Sequence, residues 1–178
     1  TQQLSWQASH DALTGLINRN EFENRLRNAL ASARDEGHQH ALLYLDLDQF
    51  KVVNDTCGHV AGDELLRQLS GLNQTLMRAS DTLARLGGDE FGVLLERCPL
   101  EQAFRVAENL RRNLKDYRFV WEDKTFEISA SIGVVGLHAG SGDISRVLSA
   151  ADMACYAAKE SGRNRIHVYH ESDTELLQ

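Results

Sequence analysis

The sequence has 178 residues, 42% apolar and 25% charged, with a net charge of −7. This suits one globular domain with a full core; no apolar run approaches the ~20 residues of a membrane helix, and no secretory signal is visible. The acidic balance disfavours a nucleic-acid partner, which needs a basic face, while Cys57, Cys98 and Cys155 stand apart with no CxxC pair, against zinc or a disulfide framework and in keeping with a reducing cytoplasm.

The chain begins at Thr1 rather than Met, as expected of a piece of something longer. Residues 1–19 are polar with a few apolar anchors, Leu4, Trp6, Leu13 and Leu16. Glu21 to Arg34 reads as a helix, with Phe22, Leu26, Ala29 and Leu30 at helical spacing, closed by Gly37. Ala41 to Leu45 is a short continuous apolar run, the pattern of a strand buried on both faces. It leads straight into Asp46-Leu47-Asp48. Beyond Gly58, residues 60–78 read as a long amphipathic helix with Leu65, Leu66, Leu69, Leu72 and Leu76 on one stripe.

Thr82 to Leu86 and Glu90 to Leu95 read as a hairpin around Gly87-Gly88-Asp89. Pro99 suits the start of a helix over 99–115, with Leu100, Ala103, Phe104, Ala107, Leu110 and Leu114 inward. Phe126 to Val135 is strand-like and interrupted by Gly133; Ile144 to Glu160 is helical, closed by Gly162; Arg165 to Tyr169 alternates as a last strand. This order predicts an α/β domain on a mixed or antiparallel sheet.

Carboxylates fall where the sheet should be dry. Asp46 ends the apolar run, and Asp89 and Glu90 sit at the hairpin turn. Such groups are costly unless paired or bound to metal, and acids from neighbouring strands make a cage for Mg²⁺. Asp89 also suits a turn in its own right, and Lys159 and Arg163, four apart, also suit a helix C-terminus.

Five motifs in order make the pattern specific. They are Asp11-Ala12-Leu13-Thr14-Gly15-Leu16-Ile17-Asn18-Arg19, Asp46-Leu47-Asp48-Gln49-Phe50-Lys51-Val52-Val53-Asn54-Asp55, Gly58-His59-Val60-Ala61-Gly62-Asp63, Arg85-Leu86-Gly87-Gly88-Asp89-Glu90-Phe91 and Ala158-Lys159-Glu160-Ser161-Gly162-Arg163-Asn164. The chain resembles the GGDEF family of diguanylate cyclase domains. The resemblance implies a central, mostly antiparallel sheet flanked by helices, like the palm of nucleotidyl cyclases and polymerases. It places a linker at 1–19, the catalytic domain at 20–169 and a second linker at 170–178. The reaction it implies is condensation of two GTP into cyclic di-GMP, across a homodimer of two such domains, with no nucleic-acid partner and membrane contact only through a parent protein.

By the same resemblance, Asp46, the Leu47 carbonyl, Asp89 and Glu90 hold two Mg²⁺ ions, or Mn²⁺ in their place. Asp89 or a metal-bound neighbour helps deprotonate the attacking 3′-hydroxyl, which carboxylate being left open. Lys159 and Arg163 reach the β- and γ-phosphates, with Lys51 and the backbone of Gln49 and Phe50 as further contacts. Asp63 and Asn54 read the guanine edge, which donates where adenine does not; His59 is a secondary member of that pocket. Gly87 and Gly88 let the turn backbone approach the substrate. Arg78 and Asp81, at the end of the long helix, resemble the RxxD site at which product inhibits, with Arg105, Arg111 or Arg112 as partners. Two alternatives are a silent module that binds GTP or cyclic di-GMP, and a palm-type adenylyl cyclase. Tyr169-His170-Glu171-Ser172-Asp173 resembles the boundary before a phosphodiesterase EAL domain.

Overall fold

The structure, a computed structural model, describes residues 2–170; Glu171, Ser172 and Asp173, and the side chain of Leu4, lie outside what it describes. A five-stranded sheet forms the centre: β1 (His40–Leu47), β2 (Thr82–Gly87), β3 (Glu90–Leu95), β6 (Ala130–Leu137) and β7 (Arg165–Val168), in the order β2-β3-β1-β6-β7. Neighbours run antiparallel except β6 and β7. Helices cover both faces. On one side α3 (Phe50–Cys57), α4 (His59–Gln74) and α5 (Leu100–Asp116) pack against Leu43, Leu45 and Leu47 of β1. On the other, α2 (Arg19–Glu36) and α6 (Ile144–Glu160) pack against Leu42 and Tyr44. All eight residues of β1 are therefore buried, which is why its apolar run is continuous rather than alternating.

Because successive side chains alternate between faces, Asp46 shares the α2/α6 face with Leu42 and Tyr44. Its Cα partner on β3 is Glu90. The strand pairing thus delivers two acids side by side at one end of the sheet.

Several elements differ from expectation. The long helix stops at Gln74, and backbone bonds from Leu76 and Met77 to Asn73 and Gln74 turn the chain, so Arg78 lies in the turn beyond it. Gly133 does not interrupt a strand; the break falls earlier, between β5 (Lys124–Glu127) and β6. β5 pairs with β4 (Arg118–Trp121) in a separate hairpin whose turn holds Glu122 at positive φ, so no glycine announces it. On α5 the buried stripe is Ala103, Ala107, Leu110 and Leu114, while Leu100 and Phe104 are exposed. The helices α1 (Gln2–Ser9) and α3 were not expected: both are short, and α3 buries only Val53. No helix among the described residues is long and apolar enough to cross a membrane.

Candidate active site

The sheet end that carries Asp46 gathers the predicted acids. Asp46 is 8% exposed, and its Oδ2 accepts from Lys159 Nζ at 2.5 Å. Burial lowers the Lys159 pKa, and Asp46 more than offsets this, so the ammonium is raised above its ordinary value. The Asp89 carbonyl accepts from Leu47 N at 3.3 Å, which fastens the hairpin tip to the end of β1. Burial first, then the Asp46 carboxylate beside it, push the Asp89 carboxyl up to about 6. Glu90 accepts instead from the Tyr44 hydroxyl. Among the described residues no three His, Cys, Asp or Glu side chains are arranged around one point that could hold a metal ion.

A buried acid beside a half-buried one still suits a hard cation. Mg²⁺ needs only one or two carboxylates beside phosphate oxygens and water, and Asp46 and Asp89 are the residues that could supply that pair. Lys159 already acts as a partial counter-charge.

The rest of the motif residues fall into two groups. Asn54, on α3, buries its Oδ1 without a partner among the protein groups. Gly62 on α4 faces it so closely that a Cβ there would lie 1.9 Å from that oxygen. Asp63, next in the chain, is half-buried, whereas His59 and Lys51 are exposed. The Gln49 side-chain oxygen accepts from Ser129 N at 2.9 Å, which ties the residue to the start of β6. Gly87 and Gly88 have φ of 145° and 50°, backbone that favours glycine.

Arg163 is not on the same helix face as Lys159. The helix α6 ends at Glu160, and Gly162, Arg163 and Asn164 follow at positive φ. This turn makes Asn164 N donate to Asp48 Oδ2 at 3.0 Å. Asp48, which had no assigned role, also accepts from the hydroxyls of Ser129 and Ser131 at 2.5 and 2.7 Å, and so ties β1, β6 and the closing motif together. Arg85 likewise had no role. It donates to the Gly88 carbonyl at 3.0 Å and pairs with Asp11 at 3.2 Å, which anchors the signature turn to the opening motif. Both were visible as motif letters, but the motifs they join to, through Asp11 and Asn164, lie 74 and 116 residues away.

Arg78 and Asp81 bind each other. Arg78 Nη2 meets Asp81 Oδ1 at 2.8 Å, Arg78 N donates to Oδ2 at 2.8 Å, and the Asp81 side chain is 2% exposed. The cavity beside them, about 300 Å³, is lined by Arg25 and Asn28 of α2. Of the expected partners, Arg111 is bound to Glu108 and Asn164, and Arg105 and Arg112 line a separate groove along α5.

Comparison with known proteins fits this geometry. The family described as "Diguanylate cyclase, GGDEF domain" matches residues 8–165. The chain is 48% identical over 168 residues to the probable diguanylate cyclase DgcE of Escherichia coli K12, covering 94% of this chain and 15% of that protein. It is 40% identical over 177 residues to the cyclic di-GMP phosphodiesterase PdeB of Shewanella oneidensis MR-1, covering 98% of this chain and 20% of that one. The chain thus spans a fifth or less of the length of these relatives. Among solved structures, the GGDEF domain of TpbB from Pseudomonas aeruginosa PAO1 superposes with a TM-score of 0.88 at 37% identity, over 95% of this chain and 99% of that one. The coiled coil and GGDEF domain of DgcB from Caulobacter crescentus, in complex with cyclic di-GMP, has a TM-score of 0.88 at 30% identity, over 94% and 88%. The sheet order, the ordered motifs and these matches agree: the chain belongs to the GGDEF domain family.

Proposed function

We propose that this domain is a diguanylate cyclase that condenses two GTP into cyclic di-GMP and two pyrophosphates. The observation that carries the reading is the meeting of Asp46, Asp89 and Lys159 at one end of the sheet, with Asp89 pushed up to about 6 by burial and by Asp46. Two crowded acids at the mouth of this fold would hold a cation, and Mg²⁺ there would supply charge neutralisation to the triphosphate and Lewis-acid activation of the attacking hydroxyl. Asp46 and Asp89 bind it, with the Leu47 carbonyl and Glu90 completing the set. Lys159, already within reach, exchanges Asp46 for the departing pyrophosphate. Arg163 and Lys51 add positive charge from exposed positions, and the backbone of Gln49 and Phe50 lines the phosphate path.

Asn54, whose buried amide oxygen has no protein partner, would turn to meet the guanine edge, and Asp63 would take N1–H. His59 flanks the base. Gly87 and Gly88 keep the turn free of side chains where the ribose comes in. In each of two steps a 3′-hydroxyl attacks an α-phosphorus, its proton passes to a carboxylate or to water, and pyrophosphate leaves. One domain holds one GTP, so the two bonds require two domains face to face. Cyclic di-GMP bound at Arg78 and Asp81 separates that pair; to bind there it must replace the Arg78–Asp81 contact with its own phosphate and guanine edge.

A second reading is a silent module that binds nucleotide and regulates a neighbouring domain. The likeness to PdeB, named for degrading cyclic di-GMP, favours it. Incubation with GTP and Mg²⁺ separates the two. The cyclase reading expects cyclic di-GMP from the intact domain and none from Asp89→Ala at unchanged fold. Tight GTP binding without turnover points to the silent module, and equal turnover of ATP would contradict the roles given to Asn54 and Asp63.

A further inference from the structure

Tyr44 belongs to none of the expected site residues, yet its hydroxyl donates to Glu90 Oε2. Two residues before Asp46 on β1, it shares that residue's face of the sheet. Its Cα partners are Gly92 on β3 and Gly133 on β6, so no cross-strand side chain stands opposite it on either side. Both glycines are crowded: a Cβ at Gly92 would lie 2.9 Å from Phe22 Cζ, and one at Gly133 would lie 2.5 Å from the backbone Cys155 N. The phenol ring is 9% exposed, set in the cluster of Phe22, Leu42 and Cys155. Its oxygen opens on a cavity of about 230 Å³ that also meets Asp46, Glu90, Asp152 and Lys159.

Packing alone asks only for a ring at this position, and phenylalanine supplies it. The hydroxyl is the polar tip of an otherwise apolar stretch, and its bond goes to a carboxylate at the reacting end. A free glutamate side chain has rotamer freedom that binding an ion must remove. A carboxylate has acceptor sites on both oxygens; with Oε2 tied to a rigid ring, Glu90 is ordered before any ion arrives.

We propose that Tyr44 is a positioning residue for the cation site, acting through Glu90, and this rests on the reading of Asp46, Asp89 and Glu90 as cation ligands. Outer partners that orient metal-binding carboxylates raise affinity about 10- to 100-fold. Tyr44→Phe, which keeps the ring, is therefore expected to weaken Mn²⁺ binding by about tenfold.

The test is titration of the nucleotide-free domain with Mn²⁺ alone, reading free ion by electron paramagnetic resonance. It uses wild type, Tyr44→Phe, Glu90→Gln, the double variant and Asp89→Asn, with circular dichroism as the check of fold. The proposal expects Tyr44→Phe to weaken binding in the wild-type background and to change nothing further in the Glu90→Gln background. Equal affinity for wild type and Tyr44→Phe overturns it, as does tighter binding. An equal loss in both backgrounds also overturns it, because the effect then comes through packing. If Asp89→Asn binds Mn²⁺ as well as wild type, the cation-site reading itself fails and the role of Tyr44 falls with it. Retained dependence on Asp89 without dependence on Tyr44 removes only the present inference.

Discussion

Asp89 is held in its folded site at a proton affinity above its unfolded one, about 6 against an ordinary 3.8. The folded state thus binds the proton more tightly, and ionisation costs stability. For the cation-free domain the sign is fixed: the contribution of Asp89 falls as pH rises from about 4 to about 6 and stays low above that. Asp89→Asn should therefore gain thermal stability relative to wild type across that interval, with the difference levelling off at neutral pH. Saturating Mg²⁺ should reverse the order, since only the wild type keeps the carboxylate. A difference that does not change between pH 4 and 7 would contradict the crowding of Asp46 and Asp89.

The Arg78–Asp81 pair makes a prediction at the same scale. The Asp81 side chain is 2% exposed, while Arg78 is 44% exposed. Removal of the guanidinium leaves a buried carboxylate with only backbone N–H support, a loss of about 1–3 kcal/mol. Arg78→Ala should lower the melting temperature, and by the proposed brake it should also relieve inhibition by cyclic di-GMP. Arg78→Lys should restore little of either, because lysine lacks the planar fork. Inhibition unchanged in Arg78→Ala would remove the brake while leaving the stability argument intact.

At the level of elements, the position of α6 decides where Lys159 ends. The helix lies directly on Gly133 of β6: a Cβ there would meet Cys155 N at 2.5 Å and Ala151 O at 2.6 Å. Both are backbone atoms and cannot rotate away. Gly133→Ala should cost about 3 kcal/mol or more as overpacking, and should shift Lys159 from Asp46. Thermal denaturation and GTP turnover should fall together; a stable, fully active Gly133→Ala domain would contradict this packing.

The same contact shows what the sequence could reveal. The apolar run of Ala41 to Leu45, the hairpin glycines and the stripe of Ile144 to Glu160 are local patterns, and the strands and helix followed from them. Lys159 and Asp46 were each marked by a motif, but they lie 113 positions apart and their meeting depends on the fold between them. α3 was missed because eight residues with one buried side chain are too short a stretch to establish a helical period. The β4–β5 hairpin was missed because Glu122 takes a turn conformation that usually calls for glycine. Tyr44 was hidden inside a run that reads as core; only the register with Gly92 reveals its partner on β3.

Across the whole molecule, the opening segment is part of the active end. Arg85 N donates to Ile17 O at 3.0 Å, and Asp11 holds the Arg85 side chain. A change in what precedes residue 10 can therefore reach the signature turn through Asp11 and Arg85, without touching the acids themselves. Asp11→Ala should leave the sheet folded and reduce turnover by about tenfold, the cost of a misplaced turn being paid in positioning. Normal turnover in Asp11→Ala would show that the turn holds its shape unaided.

In the proposed reaction the acids, Lys159 and the helices carrying Asn54 and Asp63 would form one half of a site that needs two copies. The most direct test is cyclic di-GMP production from GTP and Mg²⁺ measured over a wide range of domain concentrations. The proposed chemistry predicts a specific rate that rises with concentration and then saturates as domains pair. A specific rate independent of concentration would contradict the paired arrangement, and the absence of product at every concentration would contradict the cyclase assignment.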